Sequence, residues 1–257
     1  MITLDEVVTW VVAHDRIIGA VAVALGAGLV RGYSGFGPAL LYVPLMSALY
    51  DLRAAVTTMV LIDVVAGLWL TINSWRQANL HEVKAVVVAA LFGIPIGLLI
   101  LIYTDTFYLR WAIAVFVVGV VCILAADRRY SEPPTWSMKA IAGFTAGVFG
   151  TAFQMDGPPV VIFWLGGKNT SAVVRANVVL FLEFSGVVIA AAYAAKGWIS
   201  LETLKMAFSL LIPFSLGTFL GHARFAGTSE TAYRRVAIGL ILVAAIVSLP
   251  VFDAWVK

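Results

Sequence analysis

Charge is what this chain has least of. Only 12% of its 257 residues are Asp, Glu, Lys or Arg, against 62% hydrophobic, and the mean hydropathy is +0.99. A soluble domain carries about 25% charged residues, so this composition cannot build a water-facing surface and lipid must be the solvent. Cysteine is nearly absent: Cys122 stands alone in an apolar run, which excludes an internal disulfide or a dithiol redox pair. Three scattered histidines, His14, His81 and His222, have no metal-ligand spacing, and no cofactor is expected. Lys and Arg number 17 against 14 acids and are spread over several loops, which argues against nucleic acid as a partner. The opening Met1-Ile2-Thr3-Leu4-Asp5-Glu6 has acids where a cleavable signal has basic residues, so none is expected, and residues 4–13 read as an interfacial helix.

What the chain has in abundance is apolar runs. Those at 54–72, 85–103, 108–126, 172–195, 203–221 and 236–252 approach or exceed the roughly 20 residues that cross a hydrocarbon core. Four shorter stretches, 17–31 with 38–50 and 138–149 with 158–167, are too short to cross alone and read as re-entrant arms. Between the arms of each pair lies a glycine-rich break ending in Gly-Pro: Gly37-Pro38 in the first half, Gly157-Pro158 in the second, 120 residues apart. The same offset carries Asp63 onto Glu183, Ser34 onto Gln154, and Thr57 with Thr58 onto Asn177 with Val178. Pro95 and Pro213 also recur at similar places in their runs and are expected to kink them. The chain is a duplication.

Loop charges orient the copies. Arg76 and Lys84, then Arg128, Arg129 and Lys139, then Arg224, Arg234 and Arg235 mark three loops as cytoplasmic. Two full spans separate the second loop from the third, so the short pair between them must return to the side it entered. The expectation is an all-α integral membrane protein of two inverted repeats, each a broken or re-entrant helical hairpin plus three transmembrane helices. The first repeat covers 1–126, a cytoplasmic linker 127–136, and the second repeat 137–257, with both termini on the far side.

The breaks resemble those of the sulfite exporter TauE/SafE family, the TSUP permeases. The likeness rests on Gly28, Gly32, Gly35, Gly37-Pro38 and Pro44, then on Gly143, Gly147, Gly150, Gly157-Pro158-Pro159 and Ser171-Ala172-Val173-Val174-Arg175-Ala176-Asn177. Here Gln154-Met155-Asp156 replaces an all-glycine second break. The resemblance implies a multi-pass permease of the bacterial inner membrane, exporting sulfite, sulfoacetate or other sulfonates. Its partners would be a small anion, the bilayer and a second copy of the chain as a homodimer.

Candidate site residues follow from the physics of broken helices. Half-helices starting at Pro38 and Pro158 aim their positive ends inward. An anion pocket would then be lined by Tyr33, Ser34, Gly35 and Gly37 with Gln154, Asp156 and Gly157; the bland alternative is that these glycines only allow tight packing. Arg175 and Arg31 suit a sulfonate by bidentate donation, or else snorkel to the interface. Asn177, Thr57 and Thr58 could add amide and hydroxyl donors, or the threonines could back-bond to their own helix. Asp63 and Glu183 cost about 2.5 to 3.5 kcal/mol each at mid-membrane, which suits a coupling proton, a pair with an internal Arg, or a structural acid. Asp156 either binds a coupling proton or cation, or neutralises Arg175.

Two other functions compete. An open pocket would make an anion channel. Gly32-Tyr33-Ser34-Gly35 also matches the Gly-x-Ser-Gly of rhomboid intramembrane proteases, but a serine nucleophile needs a base. None of the three histidines is expected at its depth, so the chain reads as no enzyme.

Overall fold

The backbone of the computed structural model is described for residues 16–125, 134–225 and Gly239. Every regular element among them is helical: α1 Ile17–Ser34, α2 Pro38–Leu49, α3 Leu52–Ser74, a 3-10 turn Trp75–Gln77, α4 Leu80–Tyr103, α5 Thr106–Ala125, α6 Trp136–Phe153, α7 Gly157–Leu165, α8 Ser171–Ala195 and α9 Leu201–Phe225. Four long helices begin on polar caps: the side chains of Asp51, Asn79, Thr135 and Thr170 accept from the backbone N–H three residues on. By contrast, α2 and α7 begin on Gly37 and Asp156 with proline in the first turn and no side-chain cap. They start inside the protein, not at its edge.

Five helices are long and apolar enough to cross a membrane: Ile17–Ser34, Leu52–Gln77, Leu80–Tyr103, Ser171–Ala195 and Leu201–Arg224. Four of these cover expected spans. The run 108–126 falls on α5, while 236–252, Gly239 apart, and the interfacial helix at 4–13 lie outside the described residues. One expectation is corrected. The first arms are not short, because α1 and α6 have 18 residues each, roughly 27 Å at 1.5 Å per residue. Their glycines at 28, 32, 143 and 147 do not interrupt the helix. Each hairpin therefore has one long arm and one short arm, of 12 residues in α2 and 9 in α7.

The arms of the first hairpin lie antiparallel. Arg16 donates to the Leu49 carbonyl at 2.6 Å, Gly19 faces the Leu49 side chain, and Gly26 faces Leu41. At the centre α3 and α8 also run antiparallel: Arg53 stacks over the Trp198 ring at 4.9 Å, Gly186 meets Val64, Gly67 meets Glu183, and the Asn79 N–H donates to Asn177 Oδ1 at 2.7 Å. The base of the first hairpin lies at the α3 end that holds Arg53. Trp164, at the base of the second, donates to Glu82 at the opposite end, at 3.0 Å.

The halves exchange helices. α1 packs along α9 of the second half, and α6 along α4 of the first. Both contacts are made by glycines spaced four apart on each partner. Gly28 and Gly32 rest on the backbone of Phe214 and Thr218, and Gly217 and Gly221 on that of Leu25 and Leu29. In the second pair Gly143 and Gly147 rest on Val86 and Ala90, and Gly93 and Gly97 on Phe144 and Val148. Without a Cβ the backbones approach to direct contact, which is how helices gain packing energy when lipid removes the hydrophobic drive. Replacing Gly32 or Gly147 by Leu should abolish recovery of monodisperse protein in detergent. Gly119→Ala, with nothing within 4 Å of its Cβ, should leave it unchanged or raise stability by up to about 1 kcal/mol, as read by size exclusion and thermal unfolding.

Candidate functional site at the hairpin tips

The first tip is a tight turn buried inside the protein. Gly35 ends α1 at φ 78° with its N–H on the Arg31 carbonyl at 2.9 Å, and Gly37 repeats φ 78° before Pro38. Both need glycine, since a side chain at positive φ costs about 1 to 2 kcal/mol. The Ser34 hydroxyl lies 2.7 Å from the Val30 carbonyl and 2.5 Å from that of Phe36, and accepts the Phe36 N–H at 3.2 Å. The second tip turns at Gln154, φ 60°, the one non-glycine residue at positive φ among the described residues. Its N–H caps Gly150 at 2.8 Å and Met155 N–H reaches Phe149 at 3.1 Å. The Gln154 amide donates to the Gly150 carbonyl at 3.2 Å and contacts the Tyr193 hydroxyl at 3.4 Å, which itself donates to Thr151 at 2.5 Å.

The tips meet. A Cβ on Gly157 would stand 3.1 Å from Phe36 Cβ and 3.6 Å from Gly37 N. Between them is a cavity of about 20 Å³ whose polar lining includes Asp63, Gln154 and Asp156, room for about one water. The Ser185 hydroxyl donates to Asp156 Oδ2 at 2.5 Å. Behind Asp63 stands Arg31, wholly buried, its Nε 2.8 Å from Asp63 Oδ1 and its Nη1 donating to the Gly35 carbonyl at 2.5 Å. Glu183 lies close by on α8, across the bare Cα of Gly67.

The fold thus gathers Gly37, Gln154, Asp156, Gly157 and Asp63 at the cavity, with Arg31, Ser34, Gly35 and Glu183 immediately around it. Other candidates lie elsewhere. Arg175 is buried, not snorkelling; it donates to the Gly32 carbonyl at 2.7 Å, lies 3.0 Å from His222 Nδ1 and packs on Gly35. Tyr33 is on the last turn of α1, against Gly221. Asn177 receives the first N–H before α4. Thr57 and Thr58 back-bond to Arg53 and Ala54 at 2.7 Å, and Thr58 also contacts Tyr42 at 3.0 Å. Thr57 lines a separate cleft of about 460 Å³ beside Arg53 and Trp198.

Sequence reasoning missed Gly67, Ser185 and Tyr193. Ser185 and Tyr193 were visible as polar residues in the apolar run that holds Glu183; Gly67 had no local signal, because its role is to leave space for a side chain from another helix. No group of three or more His, Cys, Asp or Glu among the described residues is placed to hold a metal ion.

Compared with known proteins, residues 20–248 match the family model described as sulfite exporter TauE/SafE. No curated protein and no solved structure matches the chain.

Asp63→Asn leaves the buried Arg31 guanidinium without its counter-charge and should cost roughly 3 to 5 kcal/mol. The double change Arg31→Met with Asp63→Leu should recover most of that loss in thermal unfolding of purified protein.

Proposed function

This chain belongs to the sulfite exporter TauE/SafE family of membrane permeases, and we propose that it is a secondary carrier exporting a small sulfur-containing anion, sulfite or a sulfonate such as sulfoacetate, across the bacterial inner membrane. The observation that carries this reading is the closure of two hairpin tips, from opposite ends of the α3–α8 pair, on one small cavity. Two opposed copies of a broken-helix unit around a mid-membrane site are the architecture of alternating access. Arg76 between α3 and α4 and Arg224 at the end of α9 fall at the same end of the bundle by connectivity, which assigns that end to the cytoplasm. On this assignment the repeats are inverted, with the first comprising 1–126 and the second 137–257.

The anion site forms where the tips separate. The cavity has room for about one water, so an anion fits only once the tips part. Proline removes most first-turn donors: Pro38 in α2 and Pro158-Pro159 in α7 leave Ala39 and Gly157 as N–H groups without helical acceptors. Their helix dipoles and Arg31 supply the positive field, with Ser34 and Gln154 freed as donors once the turns relax. Arg175, fixed against the carbonyl end of α1, holds the first tip in register; Thr57, Thr58 and Asn177 lie away from the cavity, bonded to backbone groups.

Carboxylates set the coupling. An anion cannot rest beside a carboxylate that no cation pairs without repulsion of several kcal/mol, so it moves with a proton that neutralises such an acid near the cavity. Saturable, trans-stimulated counterflow of radiolabelled sulfite or sulfoacetate is expected in proteoliposomes, faster with a pH gradient, and with plain carboxylates inert. Currents far above carrier turnover would make the chain a channel, and silence to every sulfur oxyanion would remove the substrate assignment.

A further inference from the structure

Asp63 and Glu183 occupy equivalent places in the two halves, yet the structure treats them differently. Asp63 is paired with Arg31 at 2.8 Å. Glu183, 6% exposed, faces the same guanidinium without pairing: neither of its oxygens finds a hydrogen-bond partner among the described residues, and Arg31 Nη2 finds no acceptor. Both groups crowd the bare Cα of Gly67. A Cβ there would overlap Glu183 Oε2 and stand 3.2 Å from Arg31 Nη2. Gly67 therefore keeps open the gap between the two groups.

The charged groups acting on Glu183 are Arg31 of α1 and Asp63 of α3, and the Thr71 hydroxyl of α3 also faces it. The other helices packed on α8 bring no further charge to it among the described residues. A buried carboxylate that no cation pairs, with at most one hydroxyl facing it, is costly as an anion, and a positive charge relieves it. One guanidinium cannot satisfy two carboxylates in separate helices at once. The second positive charge has to arrive from outside.

We propose that Glu183 is the group that takes up and releases the coupling proton, while Arg31 passes between Asp63 and Glu183 across Gly67 as the charge on Glu183 changes. This rests on the reading of the chain as a proton-coupled carrier. With the proton on a Glu183 oxygen, Arg31 stays on Asp63 and the first hairpin stays seated. When water reaches the cavity the O–H bond breaks, the proton leaves to that water, and the carboxylate left behind competes for Arg31. Arg31 also holds the Gly35 carbonyl, so its shift draws on the hairpin tip. The two repeats thereby divide the work: Asp63 anchors, Glu183 reports the proton.

The test uses the full-length chain in proteoliposomes, with radiolabelled sulfite as the probe and a trapped pH dye. Glu183→Gln should lose sulfite accumulation driven by a pH gradient, and lose proton movement with it, while sulfite exchange without a gradient persists. Glu183→Asp should restore part of the coupling. Accumulation by Glu183→Gln at the wild-type level would overturn the proposal. Absence of sulfite exchange in the wild type would instead count against the carrier reading itself. A substrate-free arm covers that case: the infrared carbonyl stretch of a protonated carboxyl in purified wild type should lose a component in Glu183→Gln, and an unchanged band in Glu183→Gln would also overturn the proposal.

Discussion

The constraint on which this structure depends is that a backbone break at membrane depth must be covered and hydrogen-bonded by protein. Two such breaks stand among the described residues, and most of the unusual polar residues there serve them. Arg31 holds the Gly35 carbonyl, Arg175 that of Gly32, Gln154 that of Gly150, Tyr193 that of Thr151, and Ser34 knits its own turn. The exchange of helices follows from the same need. A hairpin covered only by its own half would leave its long arm facing lipid with glycines exposed; laid on the other half, α1 and α6 bury those glycines against a foreign backbone.

A second consequence is electrostatic. Arg31 is drawn inside to cap a carbonyl, and a guanidinium cannot be buried alone, so Asp63 accompanies it. Glu183 then approaches the same charge from the other repeat. The acids are thus not a decoration on an anion site. They accompany the cation that seals the tip, and on the proposed reading their imbalance of charge is what answers to a proton. On that reading structure and transport use the same few side chains, and the tip opens when the charge around Arg31 is rearranged.

Much of the layout was legible in the sequence because duplication repeats itself at a fixed offset. Gly37-Pro38 and Gly157-Pro158 located both tips, and Asp63 with Glu183 marked acids within apolar helices that the fold does bring near each other. The lengths of α1 and α6 were not legible, since glycine looks like a break until the backbone it touches is known. For the same reason the present partners of Ser34, Gln154 and Arg175 were not legible: their chemistry suits an anion, and a carbonyl at the end of a broken helix asks for the same donors. Residue type shows what a side chain can bond; only the packing shows which bond is made.

The central claim is that the two tips close on one another and must part for an anion to pass. A disulfide tests this most directly. Gly157 and Phe36 are close enough that a cysteine pair at these two positions, in a background with Cys122→Ser, lies near the roughly 3.5 to 4.5 Å Cβ separation a disulfide needs. The account predicts that oxidation links the tips and stops sulfite counterflow, and that reduction restores it. Transport at the uncrosslinked rate through fully linked protein, or folded protein in which the pair does not link, would contradict it.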